Sequence, residues 1–102
     1  MTDPITHYVI VRKDLPHGHQ LAQSVHAAGE SGPATSGTYA VVLAAPDEQA
    51  LLDLHERLAY SNVPHVLIRE PDAPYLGAAM AIGIPPQPRR PLRKYTKGLK
   101  PC

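Results

Sequence analysis

Phenylalanine and tryptophan are absent from the 102 residues, and cysteine occurs once, as Cys102 at the last position. A lone terminal thiol excludes an intramolecular disulfide and makes a poor buried nucleophile, so a reducing, cytoplasmic setting is expected. Long apolar runs are also missing, and nothing approaches the ~20 residues needed to cross a bilayer, which argues against a membrane partner. The opening Met1-Thr2-Asp3-Pro4 has neither a basic nor an apolar leader segment, and a soluble, unprocessed chain is expected. With 43% hydrophobic residues and aromatic mass from five tyrosines alone, the interior must be filled by Val, Leu, Ile and Ala. A chain this short has room for one domain, 1–102, and hides only about two thirds of its extended surface, so a partner subunit could complete its core.

A net charge of +1 conceals a division at Ile84. Residues 1–84 hold four Arg/Lys against nine Asp/Glu, whereas 85–102 hold Arg89, Arg90, Arg93, Lys94, Lys97 and Lys100 and no acid. A Pro-rich basic arm of this kind either neutralises phosphates, with counterion release favouring the contact, or is a solvated terminus.

The β-branched run His7–Arg12 reads as a strand broken by Asp14, Pro16 and Gly18. From Gly18 to Gly29 an Ala-rich stretch predicts a first helix, and Glu30–Gly37 a loop. Thr38–Ala44 follows as a strand, then a helix opened by Pro46-Asp47-Glu48, carried by Leu51, Leu54 and Leu58, and ended by Asn62 and Pro64. His65–Arg69 and Gly77–Ile84 are further strands, separated by the loop Glu70–Tyr75. A Pro-rich turn and a last helix over Leu92–Leu99 close the chain. This β-α-β-α-β-β order predicts a sheet with a parallel portion and helices on both faces.

On the first helix, at about 100° per residue, His19, Gln23, His26 and Glu30 share one side, while Leu21, Val25 and Ala28 gather opposite and are expected to pack on the sheet. Gly18 and His19 lie at the helix start, where free backbone N–H groups and the positive dipole end favour an anion. Such a polar stripe is also what an ordinary surface face looks like. His17, His19 and His26 could be read as metal ligands, but no cysteine pair or HExxH-type spacing accompanies them. No metal or cofactor is expected.

The stretches Val9-Ile10-Val11-Arg12-Lys13-Asp14-Leu15 and Ala22-Gln23-Ser24-Val25-His26-Ala27-Ala28, joined by a short loop to Gly18, resemble the type 2 peptidyl-tRNA hydrolases. Tyr39–Leu43, Pro46-Asp47-Glu48, Val66–Arg69, Ala81-Ile82-Gly83 and Leu99-Lys100 keep the order of that family. The resemblance implies an α/β three-layer sandwich, with a four-stranded mixed β-sheet between helical layers, usually as a homodimer. It also implies hydrolysis of the ester joining a peptide to tRNA, with the tRNA 3′ end rather than DNA as partner.

Such enzymes carry a lysine after the helix-start glycine, the Gln and His of the first helix, and an Asp and a Thr after strand three. Here position 19 is His, no Thr occurs between Thr38 and Thr96, and the loop Glu70-Pro71-Asp72-Ala73-Pro74-Tyr75 is short. These departures resemble the divergent peptidyl-tRNA-hydrolase-domain-containing branch.

On this basis Glu70 or Asp72 positions the water, His19 and the helix-start N–H groups face the carbonyl oxygen, and Gln23 orients the substrate, with His26 in support. Arg12 and Asp14 fix the loop before the helix, and the six tail cations contact tRNA. An imidazole titrates near 6.5, so activity that needs His19 as a cation would decline from about pH 6 to 8, and a neutral base would show the reverse. The alternative is a catalytically inactive relative that binds tRNA or a protein partner through the same cleft.

Overall fold

A computed structural model describes residues 3–33 and 35–102. Met1 and Thr2, in the chain opening, and Ala34, in the expected loop 30–37, lie outside the described residues. The elements run β1 (Ile5–Arg12), α1 (His17–Ser31), β2 (Tyr39–Ala45), α2 (Glu48–Tyr60), β3 (Val66–Glu70), β4 (Ala78–Pro88), a 3-10 turn (Arg90–Leu92), α3 (Arg93–Thr96) and β5 (Lys100–Pro101).

The sheet is mixed, in the order β3-β4-β1-β2-β5. β1 and β2 pair in parallel, from Thr6 opposite Tyr39 to Arg12 opposite Ala45, because α1 returns the chain to the starting end of the sheet. β4 runs antiparallel to both β1 and β3. The expected four strands are thus five: Lys100 and Pro101 add to β2 opposite Ala44 and Leu43. Two residues carry too little pattern to announce a strand.

Alternation along β1 divides the interior. Tyr8 and Ile10 join Leu51, Leu54 and Leu58 of α2 together with Leu92 and Tyr95 of the last segment. Val9 and Val11 join Leu15, Ala27 of α1, Ile68, Met80 and Ala81. α2 follows its sequence pattern, with Asp47 Oδ1 accepting from the Ala50 N–H at 2.9 Å as its N-cap.

α1 does not follow its pattern. Leu21 is 56% exposed and Val25 73%, so two of the three residues expected on the sheet face outward, while Ala28 packs beside Ala27. The buried residues of this helix are Ala27 and Ser31. The reason is close approach: a Cβ added to Gly83 of β4 would overlap Ser31 Oγ and the Ala27 carbonyl, so small side chains meet a glycine there. Polar groups on this face are satisfied locally. Ser31 Oγ donates to Ala27 O at 2.6 Å and lies 2.8 Å from His7 Nε2. Ser24 Oγ donates to Gln20 O at 2.7 Å. Hydrogen-bonded in this way, they are buried at little cost.

The basic segment is not a free arm. β4 extends four residues past Ile84, and the expected Pro-rich turn is instead a strand in which Gln87 and Pro88 pair with Thr6 and Ile5. β3 pairs only up to Gly83, so beyond it the prolines occupy an edge where a missing N–H leaves no ladder bond unmade. The expected helix over 92–99 is only Arg93–Thr96. Leu92 and Tyr95 are buried, so this segment completes the core instead of projecting from it.

Candidate active site at the start of the first helix

The turn from β1 into α1 is held by side chains. The Arg12 guanidinium donates two bonds to Asp14, at 2.9 Å and 2.8 Å, and a third to Ala79 O at 3.1 Å. This pairing holds the Asp14 carboxyl below its usual value and raises Arg12, the side-chain hydrogen bond being the leading cause in each case. Gln20 Nε2 donates to Lys13 O at 3.0 Å and to Leu15 O at 2.7 Å, tying the first helical turn back to the same loop.

α1 begins at His17 with Pro16 as its N-cap and no side-chain cap, and the first helical bond runs from Gln20 N to Pro16 O. The amide hydrogens of His17, Gly18 and His19 are therefore open to a ligand. Gly18 leaves empty space beside them, since a Cβ there would meet nothing within 4 Å.

Across from this turn lies the end of β3 with its following loop. Gly77 N donates to Glu70 O at 2.7 Å, and the amides of Tyr75 and Leu76 donate to Asp72 O at 2.9 and 3.1 Å, closing residues 70–77 into a compact turn. Gly77 has φ +92, a left-handed conformation that glycine adopts without strain. Between helix and loop is an open cleft of about 190 Å³ lined by His19, Gln23, Glu70 and Tyr75, with Ala22, Ala73 and Pro74.

The bonds within the cleft are directional. Gln23 Nε2 donates to Glu70 Oε2 at 3.3 Å, while Glu70 Oε1 accepts from Asp72 N at 3.2 Å. Gln23 Oε1 is buried without a partner among the described residues. His19 Nδ1 lies 2.7 Å from the Tyr75 hydroxyl, with the two rings edge to face at 5.7 Å.

The structure therefore brings His19, Gln23 and Glu70 together. Asp72 contributes its backbone to the turn and its side chain does not line the cleft. His26 is one helical turn further along, exposed, and 3.3 Å from Glu30. Tyr75 escaped the sequence reading, which treated it only as the end of a loop. The one available signal was an aromatic residue at the position where the chain re-enters the sheet.

The six cations are distributed over the last segment. Arg89 bonds Thr6 Oγ1 at 3.1 Å and lies over the Tyr39 ring. Lys94 Nζ lies over Tyr95, and the Arg90 amide donates to Asp3 at 2.8 Å. Arg93 and Lys97 are exposed. Lys100 shares a pocket of about 250 Å³ with Lys13 and Leu99. The next residue but one after Lys100, Cys102, places its Sγ 3.5 Å from Gln20 Oε1 of α1.

A mixed α/β sheet whose uncapped first helix faces a carboxylate across a cleft makes this a small α/β domain with a candidate site at the helix start. The chain belongs to the peptidyl-tRNA hydrolase PTH2 family, whose model matches residues 5–102. A human relative named "Putative peptidyl-tRNA hydrolase PTRHD1" is 31% identical over 114 aligned residues, covering 91% of this chain and 79% of its own length.

Proposed function

We propose that this protein hydrolyses the ester of peptidyl-tRNA, releasing peptide and free tRNA in the cytoplasm. The observation that carries this reading is the convergence of His19, Gln23 and Glu70 on one cleft at the uncapped start of α1. Glu70, anchored by Gln23 and the Asp72 amide, orients the attacking water and accepts its proton. As the carbonyl carbon becomes tetrahedral, His19 and the first-turn amides donate to its oxygen. Gln23 Oε1, unpaired and buried, accepts from a substrate N–H or hydroxyl. The bond between the carbonyl carbon and the ribose oxygen then breaks, and the departing oxygen takes up the proton that Glu70 accepted from the water, which restores the carboxylate.

The tRNA backbone is the partner for the basic residues Arg89, Arg90, Arg93, Lys94, Lys97 and Lys100, and Lys13 lines one pocket with Lys100. A homodimer, as the resemblance implies, would cover the exposed Leu21 and Val25.

The test is to incubate the protein with N-acetylated aminoacyl-tRNA and follow release of free tRNA. Release should fall about 10²–10³-fold in His19→Ala, the cost of losing an oxyanion donor. Tight binding without release would replace this reading with that of an inactive tRNA-binding relative.

A further inference from the structure

We propose that Tyr75 is a positioning residue that fixes the ring and tautomer of His19, so that the Nε2–H is held toward the cleft whether or not the imidazole is charged. The inference rests on the hydrolase reading for its kinetic consequence, but its structural content stands apart from it.

Two nitrogens of an imidazole have different tasks when one of them is engaged. Here Nδ1 is engaged by the Tyr75 hydroxyl at 2.7 Å, and Nε2 makes no hydrogen bond to the described residues. A phenol O–H is a good donor and a bare imidazole nitrogen a good acceptor, so the neutral pair settles as O–H···Nδ1 with the ring hydrogen on Nε2. On protonation Nδ1–H donates to the phenol oxygen and Nε2 keeps its hydrogen. A donor therefore remains in place through the titration, which a ring without a partner would not guarantee.

The ionisable groups on the neighbouring elements are Arg12 of β1 (paired with Asp14), Arg69 and Glu70 of β3 and Asp72 of the loop, with His17 and the His26–Glu30 pair on α1 itself. Arg69 is taken up by Gly77 O at 2.9 Å. Glu70 is the only one of these that lines the cleft with His19, and its oxygens are bonded to Gln23 and the Asp72 amide. Among the described residues only Tyr75 addresses Nδ1. Its ring is in turn fixed, packing against the Val9, Val11 and Met80 cluster while its amide closes the turn on Asp72.

Tyr75→Phe removes one oxygen and keeps the ring. In protein with 15N-labelled histidine at pH 8, two-bond 1H–15N spectra should show His19 with a bare Nδ1 and a hydrogen on Nε2. In Tyr75→Phe the Nδ1 signal should move toward a tautomer average. A hydrogen on Nδ1 in the parent protein, or unchanged signals in the variant, would overturn the proposal.

With N-acetylated aminoacyl-tRNA, Tyr75→Phe should lose about tenfold in kcat/KM at pH 8, on the scale of one hydrogen bond. The loss should shrink as pH is lowered, since an imidazolium carries hydrogen on both nitrogens, and a loss equal at every pH would reduce Tyr75 to a packing residue and overturn the tautomer role. If the parent protein releases no tRNA yet shows the bare Nδ1, hydrolysis fails while the positioning of His19 stands.

Discussion

The two faces of the sheet are covered by different means. On the side of Tyr8 and Ile10, α2 lays Leu51, Leu54 and Leu58 onto the strands, and Leu92 and Tyr95 close the edge of that cluster. On the side of Val9 and Val11, α1 contributes Ala27 and Ser31 and leaves Leu21 and Val25 outside. The first face is held by side-chain volume. The second is held by nearness of backbones and by polar groups that bond within the helix or to His7, which brings the start of α1 close enough to β3 for His19 and Gln23 to face Glu70.

Removing volume should therefore cost most on the α2 face. Leu58→Ala is expected to lower unfolding free energy by about 2–5 kcal/mol in denaturant titration, whereas Val25→Ala should stay within about 0.5 kcal/mol. Equal losses would erase the distinction between the faces. Adding volume should cost most on the α1 face. In Gly83→Ala the new methyl would meet Ser31 Cβ at 2.8 Å, so a loss of about 1–3 kcal/mol is expected, with tRNA release falling as α1 is pushed away. Ser31→Gly should relieve part of it.

A smaller effect distinguishes the faces by pH. Burial lowers the pKa of His7, beneath α1. On the other side His55, whose Nδ1 is 2.7 Å from His65 Nε2, is lowered by burial and then by the charges of His65 and Arg69. Both folded-state values lie below the ordinary 6.5, so the folded protein binds fewer protons than the unfolded chain. Stability is then complete above about pH 6.5 and is lost as pH falls through the folded-state values. Melting temperature should drop between pH 7 and 5, and His55→Gln should flatten only the part that comes from its own pair. An unaltered slope in that variant would assign the whole effect to His7.

Much of the fold was legible because local chemistry and final position agree. Asp47 caps α2 as Pro46-Asp47-Glu48 suggested, and Leu51, Leu54 and Leu58 are buried as their spacing required. The strands at 5–12, 39–45 and 66–70 follow their β-branched runs. Gln23 and His19 were legible as one stripe of a helix, and Glu70 as a carboxylate in the loop after strand three. Three features were not legible. α1 turned Leu21 and Val25 outward, because the decisive fact was the absence of a side chain at Gly83, a residue 52 positions beyond its contact Ser31. The prolines of 85–88 joined a strand, because β3 had already ended and left that edge open. Tyr75 met His19 across 56 residues, a separation over which no periodicity carries information.

Composition and order of residues by themselves determined an aromatic-poor α/β chain with an anion-friendly helix start and all its late cations in one segment. Which face of α1 meets the sheet, that the basic segment is part of the core, and which group addresses His19 were decided only on folding. Patterns along a chain report how each segment divides apolar from polar, whereas contacts between distant segments depend on the room left by a partner's side chain or backbone, which no segment encodes alone.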